Sequence, residues 1–352
     1  MDKRIFSILL PAVLLFSGCG DSDSSQKSTE TTTTTAAVSV PADSSAEPAK
    51  ESVKGFRVEG TRLLDANGNE FVMRGVNHSH TWFANCDTTA LEAIDKTDAN
   101  AVRLVLADGE QWTRDSVKSI NSLLKLCKMY EMVAVLEVHD ATGKDSVDDL
   151  RKAADFWIEV KDALIGNEDY VILNIANEWV GGWDSSTWAK GYTEVIPKLR
   201  EAGIKNTIMV DAAGWGQYGK CIAEKGSEVF ASDPDGNTMF SVHMYGTSGK
   251  NESTIESNLT AATDQDLCVC VGEFGYKHSD GDVDEEYIMK YCEEQKIGWL
   301  GWSWKGNGGG VEYLDLSEDW AGKHLSQEWG AVLVNGSRGL RATSQKCSVF
   351  GA

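Results

Sequence analysis

Two glutamates in this chain end strongly apolar runs, where an acid needs a reason to be. Glu178 follows Val171-Ile172-Leu173-Asn174-Ile175-Ala176-Asn177, and Glu273 follows Cys268-Val269-Cys270-Val271-Gly272. Asn-Glu recurs at Asn69-Glu70, Asn167-Glu168 and Asn251-Glu252, but only Asn177-Glu178 closes such a run and is followed at once by an aromatic, Trp179. An ion pair at a strand end would account for either glutamate alone. Two of them, with Arg103 and several tryptophans near other strand ends, point to paired-carboxylate chemistry. Cleaving a glycosidic bond needs such a pair: one acid protonates the leaving oxygen, and the other meets the oxocarbenium-like anomeric carbon. At a separation of ~5 to 5.5 Å the second carboxylate attacks directly and configuration is retained. The two must then differ in proton affinity. Arg103 and Tyr245 are expected to keep Glu273 ionised by charge and hydrogen bonding, and Trp179 to help hold Glu178 protonated.

The elements that must position this pair can be read from the alternation of short β-branched runs with longer segments of helical period. Eight such runs occur: 71–77, 101–107, 133–139, 170–177, 207–212, 239–245, 268–273 and 298–304. Between them, 116–130, 146–164, 187–201 and 283–295 carry apolar residues at three-to-four spacing. Eight repeats predict an α/β fold, a closed (β/α)8 barrel of the TIM type. An open doubly wound sheet is the rival, but no GxGxxG follows the first run and no GxxxxGK[ST] occurs. Residues 56–59 and 62–65, with Asn67-Gly68 before Phe71, predict a small N-terminal hairpin plugging the barrel bottom. Residues 332–334 and 348–350 are expected to pack outside it.

A barrel places function where strands run into the following loops. The polar stations there are His78 and His80, Arg103, His139, Asn177, Glu178, Asp211, His243, Tyr245, Glu273 and Trp302. Trp82, Trp183, Trp215, Trp302 and Trp304 fall in or beside these loops, where indole faces can stack on sugar rings. Trp302 and Trp304 are expected on one strand face. Trp112, Trp157, Trp188 and Trp299 lie in helix-like or strand-interior contexts and read as core. His78-x-His80, with His139 and His243, resembles the opening of a metal-dependent amidohydrolase barrel. The other stations disagree: the fourth strand lacks a lysine, the fifth ends in Asp211 without a histidine, and the eighth ends in Trp without an aspartate. No metal or other cofactor is therefore expected. The Gly306–Gly310 loop lacks the Lys and Ser or Thr of a phosphate cradle and reads as a flexible rim.

The formal charge of −21 over 352 residues excludes a phosphate-backbone partner, so no nucleic acid is expected. Residues 1–18 have the layout of a secretory signal: a charged start of Asp2, Lys3 and Arg4, then an apolar stretch from Ile5 to Phe16. Leu15-Phe16-Ser17-Gly18-Cys19 resembles a bacterial lipobox, which makes Cys19 a candidate lipidated N-terminus; Phe16 departs from that pattern. Residues 19–54 are then the acylated cysteine and a Ser/Thr-rich stalk too polar to repay chain ordering, and 55–352 the catalytic domain. The expectation is an exported protein touching membrane only through its anchor, at the outer membrane or cell surface, or else extracellular, and monomeric. Seven further cysteines in an exported chain admit up to three disulfides and one free thiol. Cys268-x-Cys270 lacks the spacing of a zinc or redox pair and reads as buried strand.

Taken together, Arg74-Gly75-Val76-Asn77-His78-x-His80-x-Trp82-Phe83, Asn177-Glu178-Trp179, Asp211 to Gln217, Phe240 to Tyr245, Gly272-Glu273-Phe274-Gly275 and Trp302 to Asn307 resemble glycoside hydrolase family 5, in its bacterial β-mannanase subfamily. The resemblance runs from about Gly55 to Phe350. It implies a retaining endo-β-1,4-mannanase acting on mannan, glucomannan or galactomannan, with Glu178 as acid/base and Glu273 as nucleophile. It further implies that Arg103, His139, Asn177, His243, Tyr245 and Trp302 surround them, with Asn177 on the sugar 2-hydroxyl. His80, Trp82, Trp183, Trp215 and Gln217 become candidates for binding neighbouring mannose units. A β-1,4-glucanase of the same family and an inactive glycan-binding surface lipoprotein are the alternatives.

Overall fold

The structure, a computed structural model, describes residues 55–351. The proposed signal, Cys19 and the Ser/Thr-rich stalk lie outside the described residues. The chain opens with a hairpin of β1 (Arg57–Glu59) and β2 (Arg62–Leu64). Eight parallel strands follow: β3 (Arg74–His78), β4 (Ala101–Leu106), β5 (Val133–Val138), β6 (Val171–Asn174), β7 (Ile208–Asp211), β8 (Thr238–Met244), β9 (Val269–Phe274) and, after a two-residue ribbon of β10 (Lys277–His278) and β11 (Gly281–Asp282), β12 (Gly298–Gly301). β12 pairs with both β9 and β3, so the expected barrel closes. Its fully buried strands explain why the runs read as apolar throughout.

Helices cover the outside: α1 (His80–Phe83), α2 (Asp87–Asp95), α3 (Val117–Met129), α4 (Val147–Glu159), α5 (Ser185–Glu201), α6 (Lys220–Ala231), α7 (Glu252–Thr263), α8 (Glu285–Glu294), α9 (Gly330–Asn335) and α10 (Leu340–Thr343). Their starts obey local chemistry. Ser116, Ser146, Asp184, Asn251 and Asp284 each accept a backbone N–H of the first turn, satisfying donors that the helix itself leaves free. Among the described residues no helix is long and apolar enough to cross a membrane.

The barrel interior has two layers. At its floor Phe56, Leu63, Phe71 and Met73 from the hairpin and its exit pack with Ala101, Val133, Val135, Ile172, Met209, Met239, Cys270 and Leu300. The hairpin therefore plugs the barrel as expected. Cys347 joins the same cluster, with Val349 and Phe350 against it, so the chain end closes the floor rather than merely lining the outside. Two residues further along several strands, the interior turns polar.

The disulfide expectation fails: Cys86, Cys127, Cys221, Cys268, Cys270, Cys292 and Cys347 are all free. Six are buried, on α3, α6, α8, β9 and the residue before it, and the chain end, where each fills apolar space as a small hydrophobe.

Candidate active site

Arg103 organises the upper layer. Its guanidinium donates to Glu273 Oε1 at 2.8 Å, Asn77 Oδ1 at 3.0 Å, Asn174 Oδ1 at 2.9 Å, Asn177 Oδ1 at 2.8 Å and Asp211 Oδ2 at 3.4 Å. All its donors are thus used, as a fully buried arginine requires. Tyr245 donates to the other Glu273 oxygen at 2.9 Å. The sequence expectation that Arg103 and Tyr245 flank Glu273 is met. Burial, and then the charge of Glu273, push the Tyr245 hydroxyl far above its ordinary range, so it stays a donor.

Glu273 faces inward through an irregularity. Along β8 and β9 the pairing runs Val242 with Val271 and then His243 with Glu273, so Gly272 is an extra residue on β9. Such a bulge re-aims the side chain that follows it. A Cβ on Gly272 would sit 2.2 Å from Ser241 Oγ, so only glycine fits there.

Glu178 is held differently. Its backbone is left-handed, with φ of 42°, a costly conformation for a non-glycine residue. Its amide donates to Asp211 Oδ2 at 3.1 Å, which fixes it. Its carboxyl lies 2.6 Å from His243 Nδ1. Burial raises the Glu178 proton affinity, while the His243 contact partly opposes this. Burial alone would lower the basicity of His243, but the charges of Glu273 and Asp211 and its bonds to Asp211 and Glu178 raise it well above normal. Trp179 is not the cause of Glu178's protonation: it turns away to pack on Tyr192 and Gly191 of α5.

One atom each from Glu178, His243 and Glu273 lie within 4.8 Å of one another. So close an approach of the two carboxylates agrees with the ~5 to 5.5 Å spacing of a retaining pair. As cation ligands the three are poorly suited, because Arg103 already pairs with Glu273 and His243 with Glu178.

The two glutamates open into a cavity of about 390 Å³. His139, Asn177, Tyr245, Trp302, Trp183, Trp215 and Gln217 line it, together with Thr247 and the turn His278, Ser279 and Asp280. Asn177 donates to Thr142 Oγ1 at 2.9 Å, which leaves its amide beside His139. The His139 ring stacks on Trp302 with centroids 5.8 Å apart, and Trp82 meets it edge-on at 5.2 Å. Trp183 and Trp215 are 54% and 48% exposed, open to stack on a ligand. Trp215 lies across Gly143 and Gly181, where a Cβ would strike its ring. A larger hollow of about 520 Å³ lies at the N-terminal strand ends between Phe71, Arg74 and Ser348. Its charged groups are spent on neighbours, Lys296 on Glu70 and Lys346 on Asp95.

Three of the expected sugar-binding residues do not line this cavity: Trp82, which stays partly exposed behind His139, and the buried Trp304 and His80. Trp304 is fully buried, its indole donating to Trp320 O at 3.1 Å. β12 ends at Gly301, so the two-residue alternation that would have set Trp304 beside Trp302 no longer applies. His80 is also buried, with Nδ1 2.8 Å from Asp87 and Nε2 3.1 Å from Asp115. Burial would lower its proton affinity, but the two carboxylates raise it to about 9, so it is a cationic staple between loops rather than a sugar ligand. His78 shares Asp87, which uses up the pair that resembled a metal motif.

The reverse correction applies to Trp112. Read as core, it is only half-buried and packs edge-on against Trp82 at 5.3 Å and against His139. Its loop is pinned by Asp140, which accepts the amides of Asp108 and Gln111. Trp157, Trp188 and Trp299 are core as expected. Glu137, 3.0 Å from His139 Nδ1, was legible as an acid two residues before a strand-end histidine, the same face of β5. The His278–Asp280 turn had no sequence signal, because only the fold brings it to the cleft.

A closed (β/α)8 barrel with two buried carboxylates of unlike environment at the C-terminal strand ends is the arrangement of a barrel glycoside hydrolase. Residues 64–308 match the cellulase (glycosyl hydrolase family 5) model. The chain belongs to glycosyl hydrolase family 5. It is 56% identical to a mannan endo-1,4-beta-mannosidase of Salipaludibacillus agaradhaerens, over 84% of this chain and 96% of that one. Among solved structures it resembles a β-mannanase from Thermomonospora fusca, at 42% identity and a TM-score of 0.80 over 85% of this chain and all of the other. A β-mannanase from Streptomyces thermolilacinus solved with mannohexaose aligns with a TM-score of 0.81 at 40% identity, covering 85% and 99%.

Proposed function

We propose that this chain is a retaining endo-β-1,4-mannanase, acting on mannan, glucomannan or galactomannan. The observation that carries the reading is the close, unequal pair: Glu178 buried with raised proton affinity, Glu273 held by Arg103 and Tyr245. The 56% identity to a mannan endo-1,4-beta-mannosidase selects the sugar. In the first step a Glu273 oxygen attacks the anomeric carbon, the glycosidic bond breaks, and Glu178 gives its proton to the departing oxygen. In the second, Glu178 takes a proton from water, which attacks the same carbon and releases Glu273. His243, 2.6 Å from Glu178, is placed to answer both changes of charge. Asn177, beside the pair, is suited to the sugar 2-hydroxyl, and Trp302, Trp215 and Trp183 to ring faces. No step calls on a metal or organic cofactor.

A polysaccharide panel with anomeric analysis tests this. Reducing ends should appear from mannan and not from carboxymethyl cellulose, with the β-anomer formed first. Release from carboxymethyl cellulose alone would replace the mannanase reading with a glucanase, and binding without any release would point to an inactive lipoprotein. The reading extends to location: an exported protein, tethered through lipidated Cys19. Palmitate label lost in Cys19→Ala supports the tether; label retained overturns it.

A further inference from the structure

Trp302 stands beside both glutamates, yet its indole has one polar atom through which its orientation can be locked. The main chain around it is tied down independently: the Trp302 amide donates to Phe274 O at 2.8 Å, and Trp329 Nε1 donates to Trp302 O at 2.8 Å. The side chain is fixed by stacking on His139 and by a single hydrogen bond, from Nε1 to Asn307 Oδ1 at 2.9 Å. A carboxamide presents either oxygen or nitrogen depending on which way it is turned, so this bond exists only if something sets the turn.

Asp315 sets it. One of its oxygens, Oδ1, accepts from the amides of Gly306 and Asn307, each at 2.9 Å, and from Asn307 Nδ2 at 2.8 Å. The other accepts from Lys305 Nζ at 3.1 Å. A carboxylate facing these groups can only accept, so the NH2 of Asn307 must face Asp315 and its oxygen must face the indole. Ser303 Oγ takes the second proton of that NH2 at 3.1 Å. Packing meets the loop only before Asn307, where Gly306 lies against the Phe83 ring; Gly308, Gly309 and Gly310 have nothing within 4 Å of where a Cβ would stand, and shape alone does not distinguish an amide oxygen from its nitrogen. The loop is held at its base by the carboxylate and is open beyond it.

We propose that Asp315 is a positioning residue for hydrolysis: it orients the Asn307 amide so that Asn307 locks the Trp302 indole beside the reacting sugar. This rests on the mannanase reading above for its functional consequence, though not for its geometry.

The test uses the full chain without ligand and then with mannohexaose. Trp302→Phe assigns the Trp302 indole N–H resonance among those of the other tryptophans. In Asp315→Asn and in Asn307→Ala that resonance should move or broaden, and kcat/KM on mannohexaose should fall about tenfold. The double variant should be no worse than the worse single one, as expected of residues acting in series. Lys305→Ala, which removes only the Asp315 ion pair, should leave the resonance and kcat in place. If Asp315→Asn does not fold, Asn307→Ala still reports, since it keeps every backbone bond to the carboxylate. An unmoved indole resonance, or additive losses in the double variant, overturns the proposal. An inactive native chain with a shifted resonance would instead remove the mannanase reading and leave the relay standing.

Discussion

The two interior layers of the barrel are built on the same strands and differ in almost every physical respect. Ala101, Val135, Ile172 and Met209 belong to the floor, and Arg103, Glu137, Asn174 and Asp211, two residues on in each case, to the site. Two residues are about 6.6 Å of strand. Across that distance the interior passes from an apolar cluster that repays folding by burial to a network of buried charge that repays little. The upper layer tolerates its charges because each is paired: Arg103 with three acids, His243 with Glu178 and Asp211, and Glu137 with His139. Stability and chemistry are thus separable on one scaffold, which is why changes in the two layers should read out differently.

The sharpest break comes at Glu273. Glu273→Ala should abolish mannan turnover while retaining oligosaccharide binding. Residual turnover near the native rate would move the nucleophile elsewhere.

Glu178→Gln comes next, with a loss of roughly 10² to 10⁴-fold in kcat on mannan, the usual range for removing an acid/base group. Because burial raises the Glu178 proton affinity, its acid form persists above the ordinary glutamate range, and activity should fall as pH rises through that raised value. A substrate with a dinitrophenyl leaving group needs no proton, so its first step should lack that basic limb. A limb that persists there would assign the titration to another group.

Met209→Ala probes the floor. It should cost about 2 to 5 kcal/mol in unfolding free energy, with kcat/KM per folded molecule nearly native. A specific loss of activity at full stability would show the layers to be coupled. The smallest effect concerns the thiols: with Cys86, Cys127, Cys221, Cys268, Cys270, Cys292 and Cys347 unpaired, dithiothreitol should leave the melting temperature unchanged. A drop on reduction would show a disulfide.

Much of this was legible in the chain. Eight apolar runs foretold the barrel because buried parallel strands need continuous apolar sequence, and both glutamates were visible because an acid ending such a run has few structural reasons to be there. Trp304 was misplaced because alternation is a property of strands and β12 has ended by Gly301, and Trp112 because its apparently regular context is a loop between β4 and α3. His80 was misread because its two carboxylates, Asp87 and Asp115, come from separate segments, the second 35 residues away.

Residue type and order alone determined that a (β/α)8 barrel forms, that its strand ends are polar, and that Glu178 and Glu273 are the pair to examine. The tertiary structure decided how those residues work. The bulge at Gly272 turns Glu273 inward, Asp211 holds Glu178 in its left-handed backbone, and Arg103 receives partners from five strands. Those are contacts between residues distant in sequence, and propensity and periodicity, which act over neighbours, carry no information about them.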